Sequence, residues 1–194
     1  MEFHNAPGAT PLDPDEAADL IPNHITTQGE LNEWEQTNIL EGVQWARRQK
    51  KREILSEEFL RELHRRMFGQ TWKWAGIFRQ SDKNIGVDWR RISTDLRNLL
   101  DDVKEQIEHA SYPPDEIALR FHHRLVWIHP FVNGNGRHAR LAADLLIQRL
   151  GGPAFTWGGQ SLVEANDKRN LYLAALRAAD GRDYRALMAF ARSQ

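Results

Sequence analysis

The sequence predicts a mainly α protein, a bundle of roughly six to eight helices with one small β-hairpin. Three observations predict it. From Gln28 onward, apolar residues recur at helical spacing in nearly every segment. The segments are separated by helix caps and breakers: Ser56, Tyr112-Pro113-Pro114 and Gly151-Gly152-Pro153. Only SDKNIGVDW breaks the pattern, with a polar turn followed by the alternation Ile85, Val87, Trp89.

Residues 1–27 contain Pro7, Pro11, Pro14 and Pro22, so they read as an extended arm with at most one helical turn near Asp15–Leu20. Gln28–Gln49 reads as a helix with apolar stripes on two sides, and therefore as a buried one. The run RRQKKRE at its end complements the helix dipole. Ser56 caps FLRELHRRMF, an amphipathic helix. TWKWAGIFRQ reads as a loop stiffened by aromatics, with Trp72 and Trp74 bracing the hairpin at Asn84–Val87. Arg91–Ala110 is the next helix, and Pro114 opens another through DEIALRFHHRLVWI. A further helix follows the Gly-Asn-Gly turn, and two more are expected around Val163–Ala179 and Tyr184–Arg192.

The chain has 194 residues, 41% of them apolar, which is enough for one cored domain at 28–194 plus the arm. A net charge of −1 gives no general pull toward nucleic acid or membrane. The absence of cysteine excludes disulfides and thiolate metal sites. No signal peptide and no apolar run of membrane-spanning length is seen, so a cytoplasmic, soluble protein is expected.

The chemistry concentrates in WIHPFVNGNGRHARLAADLL, residues 127–146. A helix start at Gly136 presents unpaired N–H groups and a positive dipole end. Gly134 and Gly136 permit close backbone approach, which makes an anion nest. Arg137 and Arg140 lie about 60° apart around the helix, so both face one ligand, and two guanidinium forks suit a polyphosphate. His129, with an ordinary pKa of about 6.5, stands across the loop as a proton acceptor. This combination favours attack of a hydroxyl on a nucleotide phosphorus.

His129-Pro130-Phe131-Val132-Asn133-Gly134-Asn135-Gly136-Arg137-His138-Ala139-Arg140 resembles the Fic/Doc family signature, HPFx(D/E)GN(G/K)RxxR. Similarity extends through LHRRMFGQTWKWAGIFR, NIGV, YLAAL and DGRDYRALMAF, covering roughly residues 28–194, and the opening residues resemble the subgroup called mobile mystery protein B. The resemblance implies a Fic-type helical bundle that transfers AMP from ATP to a protein hydroxyl. It casts His129 as base, Phe131 as core anchor, and Gly134, Asn135, Gly136, Arg137 and Arg140 as phosphate ligands. Tyr172 lies near the nucleoside, and Asp180 stands where some relatives have Asn. Asn84, Ile85, Gly86 and Val87 form a flap that aligns a target segment. Relatives also transfer UMP, phosphate or phosphocholine. The family's Mg²⁺-binding acid is Asn133 here, an uncharged ligand. A catalytically impaired nucleotide- or protein-binding module is therefore the alternative reading.

Thr37, Glu41 and Gly42 resemble the family's inhibitory motif (S/T)xxxE(G/N), which implies a Glu41–Arg140 contact in the helix at about 28–49. The buried stripe supports it, because a buried carboxylate needs a cation. The remaining histidines read as packing: His122 and His123 diverge on their helix, and no carboxylate or Cys joins them at ligand spacing. Lys168, Arg169, Arg177 and Arg182 are interleaved with acids and read as a solvated face. The expected partners are a nucleotide and a target protein of unspecified identity, with a homodimer allowed by the fold's size.

Overall fold

The computed structural model describes residues 11–159 and 166–193. Eight α-helices occur among them: α1 Pro14–Ala17, α2 Gln28–Arg48, α3 Glu57–Phe68, α4 Ile92–Glu108, α5 Pro114–Ile128, α6 Asn135–Arg149, α7 Asn166–Asp180 and α8 Arg185–Arg192. The expected start of α7 near Val163 lies outside the described residues. None of these helices is long and apolar enough to cross a membrane.

Local chemistry sets the boundaries. Thr27 and Glu30 form a reciprocal capping box at the start of α2, and Ser56 accepts the Phe59 N–H at the start of α3. Pro114 occupies the first turn of α5, where its missing N–H costs nothing. The two central helices, α5 and α6, are joined by a loop of six residues, 129–134, and they pack on α3, α4 and α8. Their inner faces supply Phe121, Leu125, Ile128, Ala139, Ala143 and Ile147, all 1% exposed or less.

α2 lies against α3 at small residues. A Cβ on Gly42 would come within 2.8 Å of the Met67 Cγ, so Gly42 marks the close approach of the two helices. Only Leu31, Asn38, Gly42 and Ala46 of α2 are buried, and its other face meets solvent. The expected two-sided burial is not found.

The expected hairpin is not formed. No strand occurs among the described residues, only two isolated bridges, Leu20 with Trp72 and Phe78 with Phe131. Gly86 has φ +105, which breaks an extended run. The main-chain groups of Val87 are taken from outside: its N–H by the Ile128 carbonyl and its carbonyl by Arg79. Trp89, expected in the strand, instead begins a 3-10 turn capped by Asp88. The alternation was real, but it lacked a second strand.

The arm from residue 11 onward lies on the aromatic loop. The Ile21 N–H donates to Thr71, the Lys73 N–H to Asp19, and the Trp74 indole to Glu16. Lys83, its side chain only 4% exposed, reaches Asp13 at 2.7 Å and Glu16 at 2.6 Å.

Candidate active site

The loop between α5 and α6 is built largely by its own residues. His129 ends α5 in the left-handed region, φ 55 and ψ 60. Gly134 caps α6 at φ 76, where a Cβ would fall 2.6 Å from the Phe68 ring. Both demands, the positive φ and the lack of space, require glycine there. Gly136 is already within α6 and needs no such freedom, so the nest expected from two left-handed glycines rests on Gly134 alone.

Asn135 closes the loop. Its carboxamide oxygen accepts the Phe131 N–H and its amide donates to the Phe131 carbonyl, both at 2.9 Å. The side chain of Asn135 is therefore spent on the protein. Phe131 is fully buried, stacked on the His64 ring at 3.8 Å.

The sequence reading passed over His64. Its Nδ1 accepts the Gly76 N–H at 3.0 Å, so Nε2 carries the proton and donates to the Asn133 carbonyl at 3.0 Å. Full burial, with His138 nearby, holds its pKa well below the usual value, and the ring stays neutral. A His inside an amphipathic helix, on the buried face, was the available signal.

The His129 imidazole is oriented by its own helix. Nδ1 lies 3.2 Å from the Val126 carbonyl and donates to it, so Nε2 carries the lone pair. Burial lowers the pKa to about 4; the Val126 bond opposes this and the Arg79 cation adds to it. Neutral imidazole is thus the resting form at pH 7.

The two arginines of α6 are held differently. Arg137 pairs with Glu35 of α2 at 2.6 Å and lies over the Phe68 ring. The other oxygen of Glu35 accepts the Trp72 indole N–H at 2.7 Å. Arg140 lies 5.5 Å from the centre of the Tyr172 ring, and the Tyr172 hydroxyl meets His122 at 2.9 Å. Tyr172 is buried, 6% exposed, and burial raises its pKa.

The expected Glu41–Arg140 contact is not present. Glu41 is exposed and accepts from the Gln70 amide at 2.5 Å. Thr37 is also exposed and bonds back to the Glu33 carbonyl within α2. The physical reason is rotational. Gly42 must face α3, and that turns the adjacent Glu41 toward solvent while Glu35 faces α6.

Asn133 is a poor metal ligand in this arrangement. Its Oδ1 accepts the Gly134 N–H at 2.6 Å and its carbonyl accepts His64. No group of three His, Cys, Asp or Glu residues suited to a metal occurs among the described residues. Any Mg²⁺ here would be held mainly by nucleotide phosphates, with Asn133 offering one uncharged oxygen that already accepts the Gly134 N–H. His123, weighed as packing, bridges Asp180 at 2.9 Å and the Tyr184 hydroxyl at 3.3 Å, tying α5 to α7 and α8.

Asn84, Ile85 and Gly86 are exposed while Val87 is buried beside Ile128. The segment borders the histidine directly: a Cβ on Gly86 would lie 2.7 Å from the His129 Cβ. Without being a hairpin, the segment borders His129.

Residues 54–147 match the Fic/DOC family. The chain is 33% identical over 134 residues to protein adenylyltransferase Fic of Drosophila yakuba, covering 66% of this chain and 26% of that protein. It is 33% identical over 145 residues to its counterpart in Drosophila virilis, covering 72% and 28%. The chain thus spans about a quarter of the length of these curated relatives. Among solved structures it is similar to BepC of Bartonella tribocorum, a complex with AMPPNP, at TM-score 0.70 and 16% identity, covering 91% of this chain and 95% of that one. It is also similar to Fic-1 (residues 134–508) of C. elegans, at TM-score 0.65 and 26% identity, covering 91% and 51%. The helical arrangement is the Fic fold, and the chain is a Fic/DOC family protein, a distant homologue of protein adenylyltransferase Fic.

Proposed function

We propose that the site transfers a nucleotidyl group, AMP from ATP in the first instance, to a hydroxyl on a protein. One observation carries this reading. His129 presents an oriented, neutral Nε2 beside the N-terminus of α6, the helix that also bears Arg137 and Arg140. The triphosphate lies along the α6 N-terminus, where main-chain N–H groups and the guanidiniums offset its charge. The target oxygen attacks the α-phosphorus, and its proton passes to His129 Nε2. The bond to the β,γ-phosphates breaks, and pyrophosphate leaves. No step runs through Asn133 as a metal ligand.

In this reading α2 restrains the site through Glu35, not Glu41. An incoming phosphate competes with the Glu35 carboxylate for Arg137, an ion pair 12% and 29% exposed. Glu35→Gln then tightens ATP binding about tenfold, the equivalent of about 1.4 kcal/mol. Glu41→Gly leaves binding unchanged.

The test is transfer of α-labelled ATP to protein by the Glu35→Gln chain, with and without divalent cation. Label that His129→Ala abolishes supports the proposal. ATP binding without transfer under each condition favours the alternative of a binding module, for which the replacement of an acid by Asn133 is the specific observation.

A further inference from the structure

The least ordinary charge in the molecule is the Arg79 guanidinium. Its side chain is 0% exposed, and it is among the largest fully buried side chains. A cation in such a place needs partners for its N–H groups. Here they are main-chain carbonyls. Nε donates to the His129 carbonyl at 2.7 Å, and Nη1 to that of Ser81 at 2.8 Å. Nη2 donates to Val87 and, at 3.4 Å, to Ile128. The Arg79 main-chain N–H donates to Pro130 at 3.0 Å. Among the described residues the one carboxylate at ion-pair distance is Asp82, 3.7 Å away and 64% exposed, with Asp88 a second, more distant attraction.

Two of these carbonyls, on Ile128 and His129, belong to the C-terminal end of α5, where helix carbonyls are unpaired and the dipole is negative. Two others belong to the loop that borders the histidine. A planar fork can bond both groups at once, which an ammonium on a flexible stem does less well. Apolar packing alone does not call for a buried charge, which is costly unless its bonds are used.

We infer that Arg79 is a positioning residue: its one guanidinium sets the His129 main chain and the 81–87 loop in a fixed relation, so a hydroxyl-bearing segment laid on residues 84–87 arrives opposite the imidazole. This rests on the transfer reading above. The geometry of Gly86 supports it independently. A Cβ there would lie 2.7 Å from both Arg79 Nη2 and His129 Cβ, so loop, guanidinium and histidine meet at one point.

The experiment uses the full chain as Arg79→Lys, Arg79→Gln and Gly86→Ala. Two signals are read besides melting: the His129 ring titration by NMR and hydrogen exchange of the Val87 amide. In Arg79→Gln the His129 midpoint is expected to rise above that of the parent chain, with Val87 exchange at least about tenfold faster. Arg79→Lys restores part of both. A merely structural role lowers the melting temperature but leaves the His129 midpoint and Val87 exchange where they are, and that result overturns the inference. If Arg79→Gln does not fold, Gly86→Ala decides: shifts in both signals support the inference and unchanged signals refute it. Shifted signals in a protein that transfers no label leave Arg79 a positioning residue and count only against the transfer reading.

Discussion

The 129–134 loop and the 80–88 loop both border His129, yet they are held by different means. The first is closed chiefly by its own residues: Asn135 bonds Phe131 four residues away and α6 starts at once, while Phe68 and His64 of α3 brace it from outside. The second is held from a distance. Arg79 and Ile128 fix its C-terminal end, and Asp13 and Glu16 of the arm fix Lys83. A locally closed loop leaves a compact sequence signature, whereas a loop held by remote partners leaves scattered ones.

Acidification tests the comparison with the largest expected effect. The neutral buried imidazoles lie in and around the first loop: His129 and His138 are depressed to about 4 and His122 to about 3, each mainly by burial, and His64 well below its ordinary value. Their folded pKa values lie below the unfolded 6.5, so this stability is complete above about pH 6.5 and is lost as pH falls toward 4. Asp144 opposes them. Burial pushes it up to about 6, and it gains a proton in the fold before it would in the unfolded chain. One carboxyl does not balance four rings. The net loss by pH 5 is on the order of a few kcal/mol. Thermal melts at pH 7 and pH 5 check it, and hydrogen exchange at pH 5 should show the first loop weakened more than the second.

Gly134→Ala comes next. Positive φ and a 2.6 Å approach to Phe68 combine to cost about 2–4 kcal/mol, read by denaturant titration. Asn135→Ala strips two bonds from the Phe131 main chain and costs about 2–3 kcal/mol, with ATP binding lost in parallel. Lys83→Ala removes a clamp on the second loop. It costs about 1 kcal/mol and speeds exchange in residues 81–87 without altering the first loop. Glu41→Gln changes stability by less than about 0.5 kcal/mol, because its carboxylate meets only Gln70 at the surface.

Legibility followed the same division. The helices were readable because caps and apolar spacing are local, as at Thr27, Ser56 and Pro114. The position of the 129–140 segment across a helix start was readable for the same reason. The hairpin was misread, because alternation at Ile85, Val87 and Trp89 says nothing about whether a partner strand exists. The expected Glu41–Arg140 pair is replaced by a pair at the other arginine. A six-residue pattern pointed to Glu41, while helix rotation, set by Gly42 against Met67, brings Glu35 to Arg137 and leaves Arg140 beside Tyr172. His64 and Arg79 were missed because their partners lie 69 and 50 residues away along the chain.

The most direct test of the account is a crystal structure of the Glu35→Gln chain with a non-hydrolysable ATP analogue. The account predicts phosphates along the first turn of α6, Arg137 and Arg140 turned onto them, and His129 Nε2 facing the α-phosphate with Nδ1 still on Val126. Phosphates bound away from α6, or an imidazole turned from them in a fully occupied complex, would contradict it.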